Sequence, residues 1–133
     1  MKKIASTCII DDDPIFIYGT KRIMTEIAFA DDILIYNNGQ DAIDGLTALS
    51  EEGKNLPSVI FLDLNMPIMN GWEFLEDFVK IPNQNREQVT IYILSSSVDP
   101  RDLERIKHYN VVNNYILKPI SPKDLKRILE QVE

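Results

Sequence analysis

Five short apolar runs, rich in β-branched residues and separated by segments with helical spacing, constrain this chain more than any other feature. Ile4–Ile10, Ile33–Tyr36, Val59–Leu62, Val89–Leu94 and Asn113–Leu117 read as strands. They seldom alternate polar with apolar residues, which predicts strands covered on both faces. The first helix is predicted over Pro14–Ala28, with Pro14 where a helix start tolerates it and Ile23 and Ile27 four apart. A second runs over Gln40–Glu51, with Ile43, Leu46 and Leu49 on one stripe. A third covers Gly71–Val79 and buries Phe74, Leu75 and Phe78. The fourth starts at Asp99-Pro100, a cap followed by proline, and carries Leu103 and Ile106. The fifth starts at Ser121-Pro122, where Ser121 and Asp124 have near-capping-box spacing, and its stripe is Leu125, Ile128 and Leu129. Five strands alternating with five helices imply an α/β fold, a parallel sheet with helices on both faces. Right-handed crossovers make it an open, doubly wound sheet. Gly53–Pro57 and Pro82–Gln88 read as loops.

The 133 residues suffice for one domain with a real core, and the apolar fraction of 44% and charged fraction of 26% are ordinary for a globular protein. Cys8 is the only cysteine. It excludes an intramolecular disulfide, suits a reducing cytoplasm and reads as a small buried hydrophobe. No apolar stretch approaches the roughly 18 residues needed to cross a bilayer. Lys2 and Lys3 precede a run that soon meets three aspartates, which argues against a signal peptide. A net charge of −7 works against a general nucleic-acid binder. The expected protein is cytoplasmic, with neither nucleic acid nor membrane as a partner.

In doubly wound sheets, ligands bind beyond the carboxyl ends of the strands. Strand one ends in Asp11-Asp12-Asp13, strand three in Asp63, strand four in Ser95-Ser96-Ser97 and strand five in Lys118-Pro119. Carboxylates about 4 Å apart repel by about 4 kcal/mol per pair at an effective dielectric of about 20, more than one lysine offsets. A hard dication relieves this repulsion, and Mg²⁺ favours a few carboxylate oxygens plus phosphate and water. The one histidine, His108, and the one cysteine offer no soft-metal set. A carboxylate nucleophile, a metal, a hydroxyl and a cation are the parts of phosphoryl transfer, with Asp63 accepting the group as an aspartyl phosphate. Taken singly, the aspartates read as turn or cap residues, the serines as loop polarity and Lys-Pro as nothing in particular. Their joint placement at the ends of one sheet carries the reading.

The segments CIIDDDP, VIFLDLNMPIMNGWEFL, IYILSSS and NNYILKPIS resemble the response-regulator receiver family, and the resemblance covers nearly the whole chain. It implies a flavodoxin-like, three-layer sandwich with strand order 2-1-3-4-5, formed by residues 1–133 as a single receiver domain without an output domain. It also implies Asp63 as phosphoacceptor, Asp12 as a direct metal ligand, Asp11 acting partly through water, and a backbone carbonyl ligand from Asn65. Mg²⁺ is the implied cofactor, with Mn²⁺ able to substitute. Ser95 matches the switching hydroxyl, Lys118 the family's lysine with a cis bond to Pro119, and Tyr115 the switch aromatic. The implied partners are a sensor histidine kinase or histidine phosphotransfer protein and a downstream target protein. That target would be engaged through the helix 4–strand 5–helix 5 surface of a monomer or weak dimer. Such a module is a signalling domain and not a turnover enzyme.

Val111-Val112 and Ser96 depart from the family pattern, while Asn65 and Ser97 occupy positions that tune dephosphorylation in relatives. Trp72 is expected near the phosphorylation loop, and His108 at the end of the fourth helix. Arg101, Arg105, Lys123, Lys126 and Arg127 read as solvated charges or a partner surface. Ile15, Phe16 and Tyr18 are candidates for kinase contacts. Two rivals share these residues. One is a receiver-like scaffold that binds without phosphorylation. The other is a haloacid-dehalogenase-type phosphohydrolase, which wants a second Asp where this chain has Asn65.

Overall fold

A computed structural model describes residues 4–82, 88–97 and 99–131. Its elements are β1 (Ile4–Ile10), α1 (Pro14–Glu26), β2 (Ala30–Tyr36), α2 (Gly39–Glu51) and β3 (Val59–Asp63). There follow α3 (Gly71–Phe78), β4 (Thr90–Ser95), α4 (Pro100–Ile106), β5 (Val112–Leu117) and α5 (Pro122–Gln131). The five strands form one parallel sheet in the order β2-β1-β3-β4-β5, as the resemblance implied.

Successive strand residues point to opposite faces, and the core divides accordingly. Cys8, Ile10, Ile60 and Leu62 pack with Ile43 and Leu46 of α2 and with Phe74, Leu75 and Phe78 of α3. Ile9, Val59 and Phe61 pack on the other face with Phe16 and Met24 of α1 and with Leu125, Ile128 and Leu129 of α5. Every residue of β3 is buried, so the central strand delivers its last residue, Asp63, into a protected place. By contrast α4 buries none of its residues, and Leu103 and Ile106 are only partly covered.

Caps fix where the helices begin. Asp13 accepts from the N–H groups of Ile15 and Phe16 (3.0 and 3.3 Å) ahead of Pro14. Ser121 and Asp124 form the reciprocal box expected of α5, each accepting from the other's N–H at 3.1 Å. Asn70 and Glu73 form a second such box on α3 at 2.9 and 3.0 Å, which was not anticipated.

Two boundaries differ from expectation by more than one residue. β2 begins at Ala30 instead of Ile33, because Ile4 and Ser6 of β1 pair with Ala30 and Asp32. Edge pairing therefore recruits an Ala-Asp-Asp segment of low strand propensity. α1 stops at Glu26, before Ala28, which adopts a left-handed φ of 53°. Phe29 N–H then bonds Met24 C=O (2.9 Å) and Ala28 N–H bonds Thr25 C=O (3.2 Å), the Schellman pattern, with Met24 and Phe29 both buried beside it. Most of the expected loop Pro82–Gln88 lies outside the described residues.

Candidate functional site

β1 and β3 are neighbours with Ile10 opposite Leu62, so the next residue of each, Asp11 and Asp63, emerges side by side at the carboxyl edge. Oxygens of Asp11, Asp12 and Asp63 all lie within 4.8 Å of one another. Asp11 is fully buried, Asp63 nearly so, and Asp12 exposed. The third aspartate of the run, Asp13, spends its carboxylate on the α1 cap.

Lys118 follows β5 and reaches across this edge. Its Nζ lies 2.7 Å from Asp11 Oδ2 and 3.8 Å from Asp63 Oδ2, with the Phe16 ring 4.7 Å below it. The Lys118–Pro119 bond is cis. Asp11 Oδ1 accepts the Asp13 N–H at 2.9 Å. Its buried Oδ2 has the ammonium beside it as an ion pair but no aligned hydrogen bond among the described residues.

One cation among three carboxylates leaves the cluster short of positive charge. The result is visible at Asp63, whose pKa is pushed up to about 6, first by burial and next by Asp11, with Asp12 adding to the shift. Lys118 and the Asn65 N–H, 3.4 Å from Asp63 Oδ1, oppose it. The donors are all hard carboxylate oxygens, and a poorly satisfied one, Asp11 Oδ2, borders the same space. These residues fit a hard divalent cation. Among the described residues His108 is exposed beyond α4 and Cys8 is sealed in the sheet, so neither joins the cluster.

The remaining expected residues surround this core without all meeting at it. Ser95, the last residue of β4, turns its hydroxyl to the C=O of Ser97 and accepts the Ser97 N–H at 3.2 Å. Its own C=O accepts the Lys118 N–H at 2.9 Å, tying the β4 and β5 ends together. Tyr115 is half-buried on the α4 side of the sheet, and its shielded hydroxyl faces the Asp102 carboxylate of α4 without an aligned hydrogen bond among the described residues. Burial first, and then the Asp102 carboxylate of α4, push its pKa up. Asn65 is exposed on the loop after Asp63.

Two contributors escaped the reading of the sequence. Phe16 is a buried platform for Lys118, so of the three candidate kinase-contact residues only Ile15 and Tyr18 stand exposed. Gly71 is the other. A Cβ there would lie 2.7 Å from the Asp63 C=O oxygen and 2.9 Å from Leu64 Cα, while the Gly71 N–H bonds Leu64 C=O at 3.0 Å. Only glycine lets α3 start this close to Asp63. The Asn-Gly pair was visible in the motif, but its steric reason was not.

A doubly wound parallel sheet with an acidic cluster and a lysine at its carboxyl edge defines an α/β domain built to handle a cation and an anion together. The family model of the response regulator receiver domain matches residues 7–130. The chain is 32% identical to a chemotaxis protein CheY homolog of Campylobacter jejuni, over 93% of this chain and 88% of that protein. It is also 32% identical to the nitrate/nitrite response regulator NarL of Escherichia coli, over 96% of this chain but only about half of that protein, 54%. A two-component response regulator from Cytophaga hutchinsonii has the same fold, with a TM-score of 0.89, 32% identity and 98% coverage of both chains. The chain belongs to the response regulator receiver domain family of two-component systems. Receiver domains are signalling domains, and none of the described helices is long and apolar enough to cross a membrane.

Proposed function

We propose that this receiver domain is a phosphorylation switch in which Asp63 takes a phosphoryl group from a phosphohistidine on a sensor kinase or phosphotransfer protein. One Asp63 carboxylate oxygen attacks phosphorus, the phosphorus–nitrogen bond breaks, and its electron pair returns to the imidazole, which takes a proton. Asp12, Asp63 and the Asn65 carbonyl, with Asp11 acting partly through water, would hold Mg²⁺, or Mn²⁺ in its place, which would supply positive charge for the phosphoryl oxygens. Lys118, already within 4 Å of Asp63, provides a second cation to them. The Ser95 hydroxyl leaves Ser97 to donate to another phosphoryl oxygen. Tyr115 repacks as Ser95 moves and alters the α4–β5–α5 surface offered to a target protein.

The observation that carries this reading is the meeting of a protected Asp63, an undersatisfied Asp11 oxygen and the Lys118 ammonium at one sheet edge. Incubation with acetyl phosphate and Mg²⁺ tests it. Intact mass should rise by one phosphoryl group, and Asp63→Asn should abolish the gain. An unmodified wild-type protein with every phosphodonor tried would refute the proposal.

A further inference from the structure

Trp72, the second residue of α3, has the Arg105 guanidinium 4.3 Å from its ring centroid and the Tyr109 ring at 6.2 Å. These two side chains come from the end of α4 and the turn after it, so the trio joins α3 to α4. What lies behind Trp72 gives the contact its meaning. Gly71 is fitted against the Asp63 backbone with no room for a methyl group, and the Asn70–Glu73 box stiffens the first turn. Upstream, the Met69 C=O is held by the Gly39 N–H at 3.0 Å. A shift of the backbone at Asp63 therefore has little slack to disappear into before it reaches Trp72. At the far end, α4 buries no residue of its own and is cheap to move.

We propose that the Arg105–Trp72–Tyr109 clasp is a second mechanical link from Asp63 to α4, acting in parallel with Ser95 and Tyr115. Arg105 is a positioning residue here: it touches neither the acidic cluster nor the phosphoryl group. The clasp sets where the C-terminal end of α4 rests, whereas Tyr115 lies toward its Asp102 side. The inference rests on the phosphorylation reading above and adds a route by which the modification is felt.

Trp72 is the only tryptophan, so tryptophan emission reports on this one position. Beryllofluoride with Mg²⁺ serves as a stable phosphoryl mimic, and intact mass after acetyl phosphate independently reports whether Asp63 is modified. In the wild type, beryllofluoride should change Trp72 emission and amide exchange across residues 100–109. Arg105→Met keeps the stem but removes the charge. It should take up phosphoryl like the wild type while losing at least half of the emission change, and Arg105→Lys should restore part of it. Tyr115→Ala should leave most of the emission change in place. A full response in Arg105→Met, or a silent Trp72 in wild-type protein that does gain a phosphoryl group, would overturn the clasp. Absence of any phosphoryl gain would instead strike the phosphorylation reading.

Discussion

Replacing Asp63 with asparagine should stabilise the metal-free protein at neutral pH, although it removes the proposed phosphoacceptor. Asparagine has nearly the same shape and no charge to hold beside Asp11. The cost it relieves follows from the Asp63 pKa, raised from 3.8 to about 6. At about 1.4 kcal/mol per unit the ceiling is about 3 kcal/mol, and solvent screening at this partly open edge reduces it to about 1–2 kcal/mol. The sign follows from linkage: the folded state binds this proton more tightly than the unfolded state. The stability contributed by protonation is complete below about pH 4 and is lost as pH rises through about 6. The advantage of Asp63→Asn should therefore be full at about pH 7.5 and small at about pH 4, read by urea unfolding in a chelator. In thermal melts it amounts to roughly 3–8 °C. Saturating Mg²⁺ should narrow the difference, since a ligand at a hundred times its Kd stabilises the wild type by about 2.7 kcal/mol. A variant no more stable than the wild type in chelator at about pH 7.5 would refute the picture of an overcharged, partly desolvated cluster.

Lys118→Met should destabilise the metal-free protein by about 3–5 kcal/mol in urea unfolding, because the fully buried Asp11 loses its only close cation among the described residues. Gly71→Ala should lower stability by about 1–3 kcal/mol and slow phosphoryl uptake from acetyl phosphate, since the new methyl group presses on the Asp63 backbone. Ala28→Gly should raise stability by about 1 kcal/mol without changing uptake, by relieving a left-handed alanine far from the site.

Much of the fold was legible because apolar runs and caps are local signals. Pro14, Asp99-Pro100 and the Ser121–Asp124 pair mark helix starts in the sequence itself, and all three act as read. What escaped depends on neighbours distant in the chain. Asp31 and Asp32 enter β2 only because β1 offers its edge. The left-handed Ala28 carries no glycine signal, since alanine here accepts strain so that Met24 and Phe29 can meet in the core. At the site, strand ends revealed the aspartates, Ser95 and Lys118, because strand termini in such sheets converge whatever the helices do. Phe16 beneath Lys118 and Arg105 over Trp72 required three-dimensional packing. Periodicity can place a residue on a face but cannot name its partner across the fold.

The most direct test is the dependence of phosphoryl uptake on metal, with the modified residue located by peptide mapping. The wild type should take up no phosphoryl group in chelator. It should saturate with added Mg²⁺ or Mn²⁺ and carry the group on the peptide containing Asp63, while Asp12→Asn should need far more metal. Uptake that proceeds equally in chelator, or that maps to another residue, would contradict a cation-assisted attack by Asp63.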